Sequence, residues 1–259
     1  MTYRGAVVDL DGTVYRGDDL IPGVGGGIDH LRREGLNLVF FSNNPTKSPA
    51  EYKTRLAGHG LSVAEAEIAS SATVTASYLT ANYADGEVFV IGDPGLIAQF
   101  EAAGVTLTDD PQAADVLVGS WDKAFDYRKL TSALWAIQAG AAFIGTDPDR
   151  RVPIGDGRLI PGSGAIIHAI EGVAERPVDH VLGKPSEEAA ELALSRLGVE
   201  PEECLVIGDS LHTDITMGAR VGMTTVLVRS GVTTAENRDA VAVEPDYVID
   251  SLADIDEVL

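Results

Sequence analysis

Cysteine and long hydrophobic runs are the features that this chain of 259 residues most clearly lacks. Its single cysteine, Cys204, lies in a short apolar run, so it cannot form an internal disulfide and is expected to pack in the core. No apolar run reaches the roughly 18 residues that a membrane-spanning helix needs. The first residues lead into a predicted strand, without the pattern of a signal segment. We therefore expect a cytoplasmic protein that has no membrane partner.

Positive charge is also scarce. The chain has 19 lysine and arginine residues against 40 aspartate and glutamate residues, for a net charge of −21, and only five of the basic residues are lysines. Such a surface repels nucleic acid, so we expect no nucleic-acid partner. The acidic residues are spread over predicted helices, which resembles the surface of proteins from salt-loving archaea, where concentrated salt screens self-repulsion. We predict a halophilic, haloarchaeal protein; an ordinary acidic cytosolic protein is the alternative.

The most informative motif follows the first apolar run and reads Val-Val-Asp-Leu-Asp-Gly-Thr, with its aspartates at Asp9 and Asp11. The run predicts a buried parallel strand that ends at acidic side chains, and ligands of open α/β sheets bind at that edge. Neighbouring carboxylates repel each other unless a cation joins them, and Mg2+ is a hard cation that prefers oxygen ligands. A plain turn uses the same residue types and remains the alternative.

A second strand-like run, from Leu36 to Phe41, ends in polar residues. The hydroxyl of Ser42 and the amide of Asn43 could hold phosphate oxygens. Taken alone, this segment is equally typical of a loop before a helix.

A lysine and two further aspartates occur late in the chain. Lys184 lies in Gly-Lys-Pro-Ser, directly before a predicted helix, which places its ammonium in a loop. Asp209 follows the strand-like run that contains Cys204, and Asp214 comes five residues later. A surface lysine and helix-capping aspartates are the alternative readings. We consider it improbable that all these motifs occur in this order by coincidence.

Together the motifs resemble those of the haloacid dehalogenase superfamily, and within it those of the NagD-like, or p-nitrophenylphosphatase, branch. The resemblance covers nearly the whole chain. It implies an α/β fold in which a Rossmann-like, doubly wound parallel sheet carries an inserted α/β cap domain. It also implies a phosphatase that hydrolyses small phosphomonoesters, such as sugar phosphates, nucleoside monophosphates, phosphoglycolate or p-nitrophenyl phosphate.

The resemblance assigns a role to each motif of the core. Asp9 becomes the nucleophile that forms an aspartyl-phosphate, and Asp11 the general acid and then the general base. Lys184 offsets the negative charge of the nucleophile and the phosphate. Ser42 and Asn43 bind the phosphoryl oxygens; the branch more often has threonine where Ser42 stands, which keeps the hydroxyl.

The resemblance also implies a Mg2+ site. Its ligands are the carboxylate of Asp9, the backbone carbonyl of Asp11 and the carboxylate of Asp209. Asp214 is expected to contact this site indirectly, through a hydrogen bond or a water molecule.

Strand and helix patterns alternate along the chain, which predicts a parallel sheet with right-handed crossovers. Helices are predicted over 22–34, 50–60 and 71–83. We expect a catalytic core over 1–84 and 179–259, and a cap that determines substrate specificity over 85–178. Caps of relatives often dimerise, so a homodimer through the cap is possible.

Several cap residues are candidates for substrate contact: Trp121, Asp122, Thr146, Asp147, Asp149 and Arg150. In the branch, a specificity loop begins at Thr-Asn-x-Asp, and this chain has Asp147 in place of the asparagine. Arg150 could bind an anionic substrate, or it could pair with Asp147, Asp149 or Asp156. Trp121 could stack on a base, although core packing is the more common role of a tryptophan.

Two other functions remain open from the motifs. A phosphoaspartate signalling protein without turnover also uses an acidic pair, a metal and a lysine, but such modules are about half this length. A haloacid dehalogenase needs neither Asp11 nor a metal. The core motifs contact only the phosphoryl group, so the physiological substrate is left to the cap.

Overall fold

The computed structural model of the chain describes residues 3–154, 158–233 and 242–259. Its strands are β1 (Gly5–Asp9), β2 (Tyr15–Arg16), β3 (Asp19–Leu20), β4 (Asn37–Ser42), β5 (Ile68–Ser70), β6 (Val88–Ile91), β7 (Val116–Gly119), β8 (Ala142–Gly145), β9 (Arg151–Pro153), β10 (Leu159–Pro161), β11 (His180–Val181), β12 (Cys204–Gly208), β13 (Thr224–Val228) and β14 (Tyr247–Ile249). The α-helices are α1 (Val24–Arg33), α2 (Pro49–Gly58), α3 (Ser71–Asn82), α4 (Pro94–Ala102), α5 (Tyr127–Ala139), α6 (Ser163–Ala174), α7 (Glu187–Leu197) and α8 (Thr216–Val221).

The chain divides into two compact units. The first comprises Met1–Ser42, Pro49–Ala69 and Lys184–Leu259, and the second comprises Asn43–Ser48 and Ser70–Gly183. The segment 85–178, which is the predicted cap, falls within the second unit. That unit also includes α3 and the short stretch after Ser42. The assignment of 85–178 as a cap stays a prediction.

A six-stranded sheet in the order β14-β13-β12-β1-β4-β5 forms the centre of the first unit. β1 pairs in parallel with both β4 and β12, so that Val7 lies beside Val39 and Val206. The strands β4 and β5, which come early in the chain, lie on one side of β1. The strands β12 to β14, which come late in the chain, lie on its other side. The sheet is therefore doubly wound, as the resemblance implies, and the strand order reverses at β1.

Apolar residues explain why these segments form the central strands. All five residues of β1 are buried, and so are all five of β12, as expected for strands that are covered on both faces. The helix α1 turns Val24, Ile28 and Leu31 toward the same core cluster that contains Val8. Their spacing of three and four residues is the apolar face of an amphipathic helix. Burial on both sides fixes β1, and with it the side chains at its carboxyl end.

The second unit has its own sheet of four parallel strands, in the order β11-β8-β7-β6. Its core contains Leu117 and Phe143 from the sheet and Ile167 and Ile170 from α6. β9 and β10 pair as a separate antiparallel hairpin. This unit is also of the α/β class, in line with the prediction for the inserted segment.

Across the three described ranges, the structure has no helix that is both long enough and apolar enough to cross a membrane.

Candidate active site

Three carboxylates meet at the carboxyl edge of the first unit's sheet. Asp9 is the last residue of β1, and Asp209 directly follows the neighbouring strand β12. Asp214 lies in a π-helical turn, Leu211–Ile215, that begins just after β12. The exposed fractions of the three residues are 7%, 3% and 1%. One carboxylate oxygen of each lies within 4.8 Å of those of the other two.

A glycine at the end of β12 allows this close approach. A Cβ atom on Gly208 would overlap the carboxyl group of Asp214. The same carboxyl group is held in place because its Oδ2 accepts a hydrogen bond from the Ser210 backbone N–H at 3.2 Å. The π-helical turn thus folds Asp214 back over the strand end.

Lys184 joins two of the three carboxylates. Its Nζ lies 2.6 Å from Asp9 Oδ1 and 2.6 Å from Asp214 Oδ1, and the lysine is 1% exposed. Burial alone would lower the pKa of Lys184, but the charges of Asp214 and Asp9 outweigh it and raise this pKa above its usual value. The ammonium therefore stays charged between the two carboxylates.

One ammonium does not balance three buried carboxylates. Burial raises the pKa of Asp9 well above its usual value although Lys184 opposes this, and burial with the charge of Asp214 raises the pKa of Asp209 to about 7. Among the described residues, nothing forms a hydrogen bond with the buried Asp9 Oδ2. Excess negative charge, carboxylate oxygens and an unsatisfied acceptor fit a hard divalent cation. The cluster could therefore hold such an ion.

A backbone N–H orients the third carboxylate. Val232, in the loop after β13, donates its N–H to Asp209 Oδ2 at 2.6 Å. This contact was not predicted, because a backbone donor leaves no signal in residue types.

Asp11 is exposed and lies at the same sheet edge, just beyond β1. Ser42, the last residue of β4, donates a hydrogen bond from Oγ to Asp11 Oδ2 at 3.3 Å. Tyr52 of α2 donates in turn from its hydroxyl to Ser42 Oγ at 3.0 Å. Tyr52 was not among the predicted site residues. Its only signal in the sequence is a phenol hydroxyl on the apolar face of a predicted helix.

Asn43 belongs to the second unit and contacts residues of that unit. Its Nδ2 donates to Asp149 Oδ2 at 3.2 Å, and its backbone carbonyl accepts a hydrogen bond from Ser71 Oγ at 2.6 Å. The structure thus brings together two of the predicted residues, Asn43 and Asp149, that are far apart in the sequence.

Other predicted residues of the second unit follow the carboxyl ends of β7 and β8. Thr146 Oγ1 donates to Asp147 Oδ2 at 3.0 Å and lies 2.8 Å from Ser120 Oγ. Asp147 Oδ1 accepts the backbone N–H of Asp149 at 3.2 Å. Burial, and then the charge of Asp149, raises the pKa of Asp147 well above its usual value. These residues form a buried polar network.

The remaining predicted cap residues differ in exposure. Trp121 is buried, and the buried carboxylate of Asp122 forms an ion pair with Lys129. Arg150 is exposed and makes no ion pair with another described residue. Asp156, one of the partners considered for it, lies outside the described residues.

Comparison with known families and proteins gives concordant matches. The family described as haloacid dehalogenase-like hydrolase matches residues 6–106, and a second description, HAD-hydrolase-like, matches residues 181–255. Sugar-phosphatase AraL of Bacillus subtilis is 39% identical over 97% of this chain and 91% of that protein. Glycerol-3-phosphate phosphatase of Homo sapiens is 33% identical over 95% of this chain and 88% of that protein.

The chain belongs to the haloacid dehalogenase-like hydrolase family.

Solved structures agree with this family. A p-nitrophenyl phosphatase from Archaeoglobus fulgidus superposes with a TM-score of 0.93 at 35% identity and covers 100% of both chains. NagD from E. coli gives a TM-score of 0.88 at 29% identity over 98% of this chain and 99% of that one. The predicted family, its NagD-like branch and the α/β fold are confirmed, and the chain is a phosphatase of this family. The haloarchaeal origin stays a prediction.

Proposed function

We propose that this phosphatase uses Mg2+ to hydrolyse small phosphomonoesters through an aspartyl-phosphate on Asp9. The observation that carries the proposal is the state of the Asp9 carboxylate. Lys184 binds its Oδ1 at 2.6 Å, while its buried Oδ2 has no hydrogen-bond partner among the described residues. A carboxylate held by one oxygen at a sheet edge is suited to act as a nucleophile.

The reaction follows from the residues at this edge. An oxygen of Asp9 attacks phosphorus, the bond to the leaving oxygen breaks, and Asp11 gives that oxygen a proton. Asp11 then takes a proton from the water that attacks the aspartyl-phosphate, which releases inorganic phosphate and restores Asp9. Lys184 opposes the rise in the pKa of Asp9 and so favours its ionised form, and we assign the binding of the phosphoryl oxygens to Ser42 and Asn43.

The metal site is assigned to the carboxylates of Asp9 and Asp209 and to the backbone carbonyl of Asp11. Bound Mg2+ supplies positive charge to the phosphoryl group as it is transferred. The donors are all oxygens, which favours Mg2+ over softer metals. Asp214 contributes indirectly, because its Oδ1 binds Lys184 at 2.6 Å.

Sugar phosphates are the substrate class that we favour. Relatives are named sugar-phosphatase AraL and acid sugar phosphatase, and they match 97% and 95% of this chain. Carboxylates and hydroxyls dominate the polar network of Thr146, Asp147 and Asp149, and such groups accept hydrogen bonds from sugar hydroxyls. We assign substrate selection to the second unit, with Trp121, Asp122 and Arg150 as further candidates. A cytoplasmic location and a homodimer through this unit complete the proposal.

Asp9→Asn tests the nucleophile. The variant keeps the shape of the side chain and removes its charge, so phosphate release from p-nitrophenyl phosphate with Mg2+ in molar salt should fall by about 10³-fold or more. The exposed Asp256 provides the matched control, because Asp256→Asn changes the same charge far from β1 in the sequence. Wild-type turnover in Asp9→Asn would refute the mechanism.

The alternatives give different results in the same assay. A signalling protein without turnover would become phosphorylated on Asp9 but release no phosphate in steady state. A haloacid dehalogenase would release halide from a haloalkanoate with or without Mg2+. Either result would overturn the proposed function.

Metal binding has a readout that does not depend on activity. A ligand that binds only the folded state raises the melting temperature, by an amount that grows with its concentration. Mg2+ should therefore stabilise the wild type after dialysis against a chelator. It should stabilise Asp209→Asn much less, and Asp256→Asn as much as the wild type. Equal stabilisation of all three proteins would place the metal elsewhere.

A further inference from the structure

A buried tyrosine lies directly behind the hydroxyl proposed to bind phosphate. Tyr52 is 0% exposed and its ring packs in the core cluster of the first unit with Leu56, one helical turn further along α2. A phenylalanine would fill the same space without a polar atom in the core. The tyrosine hydroxyl requires a partner there, because an unsatisfied buried hydroxyl is costly.

Ser42 is a partner of that hydroxyl. The Tyr52 hydroxyl donates to Ser42 Oγ at 3.0 Å, and Ser42 Oγ donates to Asp11 Oδ2 at 3.3 Å. Burial, and then the charge of Asp11, raises the pKa of Tyr52 above its usual value, so the phenol keeps its proton and can donate. Ser42 itself is 2% exposed at the end of β4.

The direction of these two hydrogen bonds follows from the number of protons that the hydroxyls can donate. A serine hydroxyl has one proton to donate and two lone pairs that can accept. When Tyr52 fills one lone pair, the proton of Ser42 cannot point back at the phenol and is directed to the Asp11 side. Without Tyr52, that lone pair loses its donor, so the direction of the Ser42 hydroxyl is less constrained and binding of a phosphoryl oxygen is weaker.

We propose that Tyr52 is a positioning residue of this phosphatase, which acts by fixing the direction in which the Ser42 hydroxyl donates its proton. The inference rests on the phosphoryl-binding role proposed for Ser42. Tyr52 itself contacts no substrate. Its contribution is pre-organisation, because the hydroxyl is already aimed before substrate arrives.

A double-mutant cycle separates positioning from packing. Steady-state hydrolysis of p-nitrophenyl phosphate with Mg2+ in molar salt is measured for the wild type, Tyr52→Phe, Ser42→Ala and the double variant. Inhibition by inorganic phosphate is measured in parallel. When Ser42 is unchanged, we expect Tyr52→Phe to lower kcat/KM about five- to tenfold, mainly by raising KM. Inhibition by inorganic phosphate should weaken by the same factor. In Ser42→Ala the same change should have less than about a twofold effect, because the group that Tyr52 positions is gone.

Two further variants serve as controls for the double-mutant cycle. Ser42→Thr keeps the hydroxyl, so Tyr52→Phe should again lower kcat/KM in that background. Thr225→Val removes another buried hydroxyl, which donates to Asp246 Oδ2 at 2.7 Å, near the start of β13 and away from its carboxyl end. Thr225→Val should lower the melting temperature and leave kcat/KM unchanged.

The outcomes distinguish this inference from the proposed function. If Ser42→Ala has wild-type kinetics, the phosphoryl-binding role of Ser42 is wrong, and the inference fails with it. If Ser42→Ala is impaired but Tyr52→Phe costs the same factor in both backgrounds, the proposed function stands and the inference alone is overturned. An unchanged kcat/KM in Tyr52→Phe also overturns it.

Discussion

At the scale of single residues, Lys184 offsets part of the negative charge that is buried at the site. It lies 2.6 Å from a carboxylate oxygen of both Asp9 and Asp214, and it is almost fully buried. Burying such charges costs free energy that good geometry only partly offsets, so the three charged groups together contribute little to stability. Removing one partner is different, because it leaves uncompensated charges in the interior.

Lys184→Met tests this argument. Methionine has a similar length but no charge, so we expect the free energy of unfolding in molar salt to fall by about 3–5 kcal/mol. Lys53 is the matched control, since it pairs with Glu65 at 3.2 Å while half exposed. Lys53→Met should cost less than about 1 kcal/mol. Equal losses in denaturant titrations of the two variants would contradict the argument.

Asp147 provides a prediction about pH. Burial raises its pKa in the folded state, so the native protein holds this proton at pH values where the unfolded chain, with an aspartate pKa of about 3.9, has lost it. Native protein thus binds more protons than unfolded protein. Stability must therefore fall as pH rises from about 4 through the raised pKa.

Asp147→Asn removes that loss. The hydroxyl of Thr146 can rotate and accept from the new amide, so the hydrogen bonds are retained. We expect the melting temperature of the variant to match the wild type near pH 4 or below and to exceed it increasingly toward neutral pH. The exposed Asp109 is the control, because Asp109→Asn should show no such divergence. A melting-temperature difference that stays constant across pH would be evidence against a raised pKa of Asp147.

The same residues show what a sequence can reveal. Lys184 was predicted because lysine is rare in this chain and because proline and a helix start follow it. Tyr52 was not predicted, since an aromatic residue on the apolar face of a helix is usually core. Only the fold shows that its hydroxyl meets Ser42. Val232 acts through its backbone, which every residue type has, and so could not be found.

At the scale of elements, the turn after β1 depends on Gly12. Its φ of +100° lies in the left-handed region, and a Cβ atom there would overlap Asp209 Oδ2. Gly17 also has a positive φ, of +57°, but nothing lies within 4 Å of where its Cβ would be. The two glycines share a backbone requirement and differ in their surroundings.

Gly12→Ala should therefore be worse than Gly17→Ala. We expect about 1 kcal/mol of destabilisation for Gly17→Ala, from backbone strain alone. Gly12→Ala adds the displacement of Asp209, so it should lose more stability, phosphatase activity and the stabilisation by Mg2+. Thermal melts with and without Mg2+ measure both effects. Retention of the Mg2+ effect in Gly12→Ala would show that Asp209 is not displaced.

Long helices were predicted well, whereas some short elements were not predicted. Helices expected over 22–34 and 71–83 correspond to α1 (Val24–Arg33) and α3 (Ser71–Asn82). The hairpin of β2 and β3 was not predicted, because strands of two residues carry no periodic pattern. The π-helical turn that presents Asp214 has no known sequence signal either. The structure places Asp9 and Asp209 at one sheet edge, where β1 and β12 end, and their roles there stay predictions.

At the scale of the whole molecule, the dominant property is charge. A net charge of −21 on 259 residues favours expansion of the chain through self-repulsion. Salt reduces this repulsion, and at about 1 M the Debye length is only about 3 Å. If the protein is halophilic, it should therefore be less stable in dilute buffer than in concentrated salt.

Cys204 reports on that stability without any assay of activity. It is the single cysteine, it is 0% exposed in the central strand β12, and burial raises the pKa of its thiol to about 12. A disulfide reagent at mildly alkaline pH should therefore label it only after the sheet opens. We expect slow labelling in molar KCl and fast labelling in dilute buffer, with the change complete near about 1 M, where screening saturates. Sucrose at matched viscosity is the control and should not protect the thiol as KCl does. Slow labelling at every salt concentration would show that the acidic surface is tolerated without salt, and the prediction of a halophilic protein would be wrong.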